Sequence, residues 1–142
     1  MRAFSSADIN SLGLARGWSH AEEAHIWNDG YDVELLIAAR PPRMPVVIRV
    51  GGEPYITQTH KFQDMTLFAN GFRLGFWHHS YRDSVTMSAV VEPEQWIVRK
   101  ANGLLRMVWH IPTSIKPSEI GEGRDDRLLG FCFRSIEISE AA

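Results

Sequence analysis

At 142 residues the chain has the size of one domain, 1–142, which leaves little room for a two-domain enzyme. Its 44% hydrophobic, 11% aromatic and 23% charged residues belong to a folded chain with a sizeable core, not to a disordered one. Fifteen basic against seventeen acidic residues leave a net charge of −2, so no positive field draws the chain to nucleic acid or anionic lipid, and no run approaches the ~18 apolar residues of a membrane span.

Residues 1–16 read as an N-terminal arm without the apolar stretch of a secretory leader. Together with a single cysteine, Cys132, which has no intrachain disulfide partner, this predicts a soluble cytoplasmic protein with a reduced thiol. Residues 1–30 are polar and irregular, with Ser5-Ser6-Ala7-Asp8 and then Gly17-Trp18-Ser19-His20-Ala21-Glu22-Glu23, until His25-Ile26-Trp27 can pair. From 31 onward the chain reads as short strands. Tyr31, Val33, Leu35, Ile37 and Ala39 alternate with Asp32 and Glu34, the period of two of a half-buried strand, and Arg40-Pro41-Pro42 stops it.

A strand over 46–50 stops at Gly51-Gly52, and another over 55–59 resumes after Pro54. Strands 66–69 and 72–77 meet across Asn70-Gly71, the dipeptide suited to a type I′ hairpin turn, and Asn102-Gly103 joins 96–100 to 104–111 in the same way. Val85, Met87, Ala89 and Val91 face inward over 84–91, as do Leu105, Met107, Trp109 and Ile111. Residues 112–127 break the rhythm with Pro112, Pro117, Gly121 and Gly123, where only a single helical turn at Ser118 fits. A last strand covers 129–138. Nine short strands predict an all-β chain: an antiparallel β-sandwich of jelly-roll type, with a long N-terminal segment and one long loop before the last strand.

The chemistry is sparse. A cupin-like metalloenzyme would draw on His60, His78 or His110, but His78 and His79 are adjacent and point to opposite faces of a strand. Cys132, between Phe131 and Phe133, reads as a desolvated core thiol, and no nucleophile elbow, phosphate loop or paired-cysteine motif occurs. The tryptophans divide: Trp96 and Trp109 alternate with polar residues as core positions do, while Trp18, Trp27 and Trp77 lie near loops or strand starts. An exposed indole offers a flat face for a sugar ring, and neighbouring Asp, Glu or Arg side chains bind hydroxyls; the other reading is that these rings plug one end of the sandwich.

Gly17-Trp18-Ser19-x-x-Glu22 followed by Trp27 and Gly30, then Pro93-x-x-Trp96, Ser118-Glu119-Ile120-Gly121 and Asp125-x-Arg127-x-Leu129-Gly130, resemble an accessory β-sandwich domain found in bacterial glycosyltransferases and polysaccharide-assembly proteins. The resemblance runs from about Gly17 to Ile138, departing at Ala21 and His25, where the pattern often has Pro and Gly. It implies a non-catalytic module without a cofactor whose partner is a glycan or a glycan-processing protein. Trp18, Glu22, Trp27, Arg124, Asp125 and Arg127 then form the candidate ligand site, Trp18 as the stacking ring. The alternatives are a structural latch in which Arg127 clamps Glu22, and a protein-binding scaffold. Edge strands such as 84–91 also suit a homodimer.

Overall fold

The computed structural model describes residues 14–20, 22, 24–38, 43–96 and 104–140. Eight strands are present among them: β1 (Ile26–Trp27), β2 (Asp32–Ala38), β3 (Val46–Pro54), β4 (Gln63–Ala69), β5 (Phe72–His79), β6 (Val85–Val91), β7 (Leu104–His110) and β8 (Phe131–Glu140). They form two four-stranded sheets in the orders β1-β8-β3-β6 and β2-β7-β4-β5. All pairs are antiparallel, and the chain changes sheet at every connection except the β4–β5 hairpin, which is the winding of an eight-stranded jelly roll.

Alternation builds the core. Val33 and Leu35 of β2, Met65 and Leu67 of β4, and Leu105, Met107 and Trp109 of β7 face Val46, Ile48 and Val50 of β3, Met87 and Val91 of β6, and Phe131, Phe133 and Ile136 of β8, all buried. Each such side chain contributes about 1.5–3 kcal/mol by leaving water. In β8 the inward set changes parity, from Phe131 and Phe133 to Ile136, because the β3–β8 register slips between Gly51 and Gly52, leaving Arg134 as the extra residue. The β4–β5 turn carries positive φ at both central residues, Asn70 at 48° and Gly71 at 86°, as a type I′ turn requires.

Three expectations are corrected. β3 does not stop at Gly51-Gly52 but runs through to Pro54; a Cβ on Gly52 would collide with the Cys132 carbonyl oxygen, so the glycine permits close approach to β8 instead of ending the strand. Residues 55–59 form no strand, because the Thr57 hydroxyl accepts the backbone N–H groups of Thr59 and His60 and folds the segment into a turn. Pro93–Trp96 is one helical turn, α1, that buries Trp96; the rest of the strand expected over 96–100, and the Asn102-Gly103 hairpin, lie outside the described residues.

The N-terminal segment joins the two sheets along one side. Ala15 N–H donates to the Glu34 carbonyl at 3.0 Å and Glu34 N–H to the Arg16 carbonyl at 2.9 Å, so residues 14–16 line the free edge of β2 before the chain crosses to β1 at the edge of the other sheet. This covers edges that would otherwise offer unpaired backbone groups.

Candidate functional site

The crossing is a narrow hairpin. Gly17 turns it at φ 83°, where an added Cβ would collide with the Asp32 carbonyl oxygen, so glycine is required there. Trp18 and Asn28 are bridge partners, and Ser19 N–H donates to the Trp27 carbonyl at 2.9 Å. Trp18 faces inward, with its ring 4.9 Å from Phe133 and 6.5 Å from Trp109, both edge-to-face, and its indole N–H donates to the Glu34 carbonyl at 2.8 Å. This is the plug geometry. Trp27 is partly exposed, edge-to-face with Tyr55 at 6.0 Å.

Asn28 is fully buried, and nothing in the sequence singled it out. Its side-chain oxygen accepts Gly130 N–H at 2.7 Å and Phe131 N–H at 2.9 Å, while its amide donates to the Gly30 carbonyl and the Ser114 hydroxyl. One side chain thus ties the first loop to the last. A lone Asn before Asp-Gly reads as a turn residue, which hides this role.

Residues 17–30 and 124–130 therefore meet. The Arg127 guanidinium forks onto Asp125 through Nε at 3.0 Å and Nη2 at 2.6 Å, donates through Nη1 to the Ser19 hydroxyl at 3.0 Å, and lies 3.6 Å from the Glu22 carboxylate. Glu22 also contacts His25 and, at 3.5 Å, His20. The Arg127 hydrogen bonds hold the Asp125 carboxyl below its ordinary range, and Asp125 in turn raises Arg127. Arg124 is exposed on the same loop. Of the six residues expected at the site, Glu22, Asp125 and Arg127 thus meet where the two loops join, Arg124 lies exposed on the second loop, Trp27 packs on Tyr55 and Trp18 turns into the core as an anchor; the Arg127–Glu22 contact is the one the latch requires.

The three histidines of the metalloenzyme reading have separate partners. His60 contacts the Thr113 carbonyl at 2.7 Å, His78 pairs with Asp64 and His110 with Asp32 at 2.7 Å. Among the described residues no three His, Cys, Asp or Glu side chains are grouped to hold a metal ion. The Cys132 thiol is pushed up to about 11 by burial, as a core position dictates.

A second feature, on the outer face of the β2-β7-β4-β5 sheet, escaped the sequence reading. A groove of about 380 Å³ is lined by Arg16, Asp32, Phe68, Asn70, Arg106, Val108 and His110, together with Gly71. Alternation marks Asp32, Glu34, Arg106 and Val108 only as outward; the register that sets them side by side is tertiary.

No family model and no curated protein matches the chain. Among solved structures the chain is similar to the CBM36-1 domain of a multidomain xylanase from the hindgut metagenome of Trinervitermes trinervoides, with 8% identity, a TM-score of 0.53 and 94% of each chain covered. At that identity the likeness is one of fold: a β-sandwich.

Proposed function

We propose that the chain is a non-catalytic, carbohydrate-binding-like module that serves bacterial polysaccharide biology in the cytoplasm, alongside a glycosyltransferase or another polysaccharide-assembly protein. The observation that carries this reading is the convergence of Glu22, Asp125 and Arg127 where the two loops join, with the partly exposed Trp27 linked to them through Ser19, on a sandwich shared with a xylanase's CBM36-1 domain. Loops at one end of a rigid scaffold are where binding groups concentrate. Trp27 supplies the apolar face, and Glu22, Asp125 and exposed Arg124 take hydroxyls. Arg127 and Trp18 hold the loops in place. Affinity for a single sugar is weak, because an open surface returns little beyond the cost of immobilising the ligand.

A glycan array of bacterial surface polysaccharides tests this. Binding that Trp27→Ala removes, with the melting temperature changed by only a few degrees, is the expected result. A blank array, together with pull-down of a glycosyltransferase, would replace glycan recognition by a protein-binding scaffold role. Stoichiometric iron, zinc, manganese or nickel in purified protein would favour the metalloenzyme alternative.

A further inference from the structure

The outer-face groove carries chemistry of its own. Arg16, from the N-terminal segment, and Arg106, from β7, both bond the same oxygen of Glu34, Nε and Nη2 respectively at 2.9 Å. The Glu34 side chain is 11% exposed, whereas the two arginine side chains are 61% and 50% exposed. One covered carboxylate thus pulls two guanidiniums together and offsets only one of them, leaving a unit of positive charge at the groove end. Each fork spends one nitrogen on Glu34, and a guanidinium has five N–H donors in a planar array suited to carboxylate.

The rest of the groove has a different character. Phe68 and Val108 are cross-strand partners and give it an apolar floor. Beyond them, Asp32 and His110 are paired at 2.7 Å and both almost half exposed. The two forks meet at Glu34, two residues from Asp32 on the same face of β2, about 7 Å of strand. The arrangement is fixed: Asn70 accepts the Arg106 backbone N–H at 2.8 Å and donates to the Gln95 carbonyl at 3.0 Å.

We infer that this groove is a binding site for a carboxylate-bearing sugar, a hexuronate unit of an acidic glycan. Its carboxylate sits against the free faces of the Arg16 and Arg106 forks. The ring lies on Val108 and Phe68, and hydroxyls of the next unit reach Asp32 and His110. A monoanion matches the single excess charge of the Arg16–Glu34–Arg106 triad, while Asp32 and the chain's net charge of −2 disfavour polyphosphate. Paired hydroxyl acceptors at one end and an apolar floor favour a sugar over an acidic peptide. The inference is independent of the loop-end site.

The test is a titration of isotope-labelled protein followed by amide shifts, with trigalacturonate, its methyl ester and hexaglutamate as probes. Trigalacturonate should shift the amides of Arg16, Phe68, Asn70 and 106–110 and not those of 124–130, which separates this site from the loop end. Its affinity should fall at least tenfold on methyl esterification and at least tenfold in Arg16→Gln, and weaken as salt rises. Arg106→Gln should do the same, and where it perturbs the fold through Glu34, the exposed Arg16 variant still decides. Equal binding of acid and ester, full affinity in Arg16→Gln, no shifts at millimolar trigalacturonate, or equal binding of hexaglutamate would each overturn the assignment.

Discussion

Replacing Trp18 with alanine measures whether the first loop is anchored from below. An indole has about 200 Å² to bury, and roughly two thirds of that at ~25 cal/mol per Å² is worth about 3 kcal/mol. The hydrogen bond to the Glu34 carbonyl adds about 1 kcal/mol net, and the edge-to-face contacts with Phe133 and Trp109 about as much again. The loop relaxes around the gap and recovers part of this, so the expected loss is about 3–4 kcal/mol, the usual range for truncating a packed aromatic. Urea unfolding read by the fluorescence of the other four tryptophans would show it as a lower midpoint at unchanged slope. In thermal melts it corresponds to a fall of about 10 °C for a chain of this length. A loss below about 1 kcal/mol would refute the reasoning and return Trp18 to the role of an open stacking platform.

Arg127→Ala should lower the melting temperature by about 3–6 °C, because it leaves Asp125 and Glu22, each about one-third exposed, without their shared cation, and Arg127→Lys should recover only part of it. Acid should act on the same contacts. Asp125 and Glu34 are held below their ordinary values, 3.8 and 4.5, chiefly by hydrogen bonds from Arg127 and Arg106; the stability they contribute is complete above those values and is lost as pH falls through the lower folded ones, so urea midpoints should decline below about pH 4.5 and the decline should be shallower in Arg127→Ala. Gly52→Ala should cost about 3 kcal/mol by urea unfolding, since its Cβ would meet both the Cys132 carbonyl and the Phe131 ring; near-neutral stability would mean that β3 and β8 are further apart. β6 ends its sheet with Thr86, Ser88 and Val90 exposed, and we propose that it pairs with a second copy; light scattering at high micromolar concentration that gave only 16.1 kDa would exclude this.

The sandwich was legible because alternation is local: Val85 to Val91 and Leu105 to Trp109 show their inner faces without a partner strand. The boundaries that went wrong are those set by neighbours. Gly51-Gly52 looks like a stop until β8 is placed beside it; the turn at 55–59 is the exception, a local one, made by a threonine hydroxyl in a segment whose alternation reads equally as strand. In the site, Glu22, Asp125 and Arg127 stood out as charges in the long loops, and they do meet. The direction of Trp18 was not legible, because a bridge to Asn28 decides which way its ring points. The Arg16–Glu34–Arg106 triad joins segments 18 and 72 residues apart and leaves no mark in any one window of sequence.

Asn28 has a consequence for how the chain reaches this state. Its bonds to Ser114, Gly130 and Phe131 span 86 to 103 residues, and among the named strands β1 pairs with β8. Docking of the first loop onto the last therefore waits until nearly the whole chain is in place. Such non-local pairings make folding slow, on the millisecond-to-second scale of sandwich proteins, since loop entropy is lost before the contacts form. On a ribosome β1 and the Asn28 side chain would wait for their partners until residue 131 had emerged. Substitutions at Asn28 should then act chiefly on the unfolding rate, because its contacts belong to the last step of assembly.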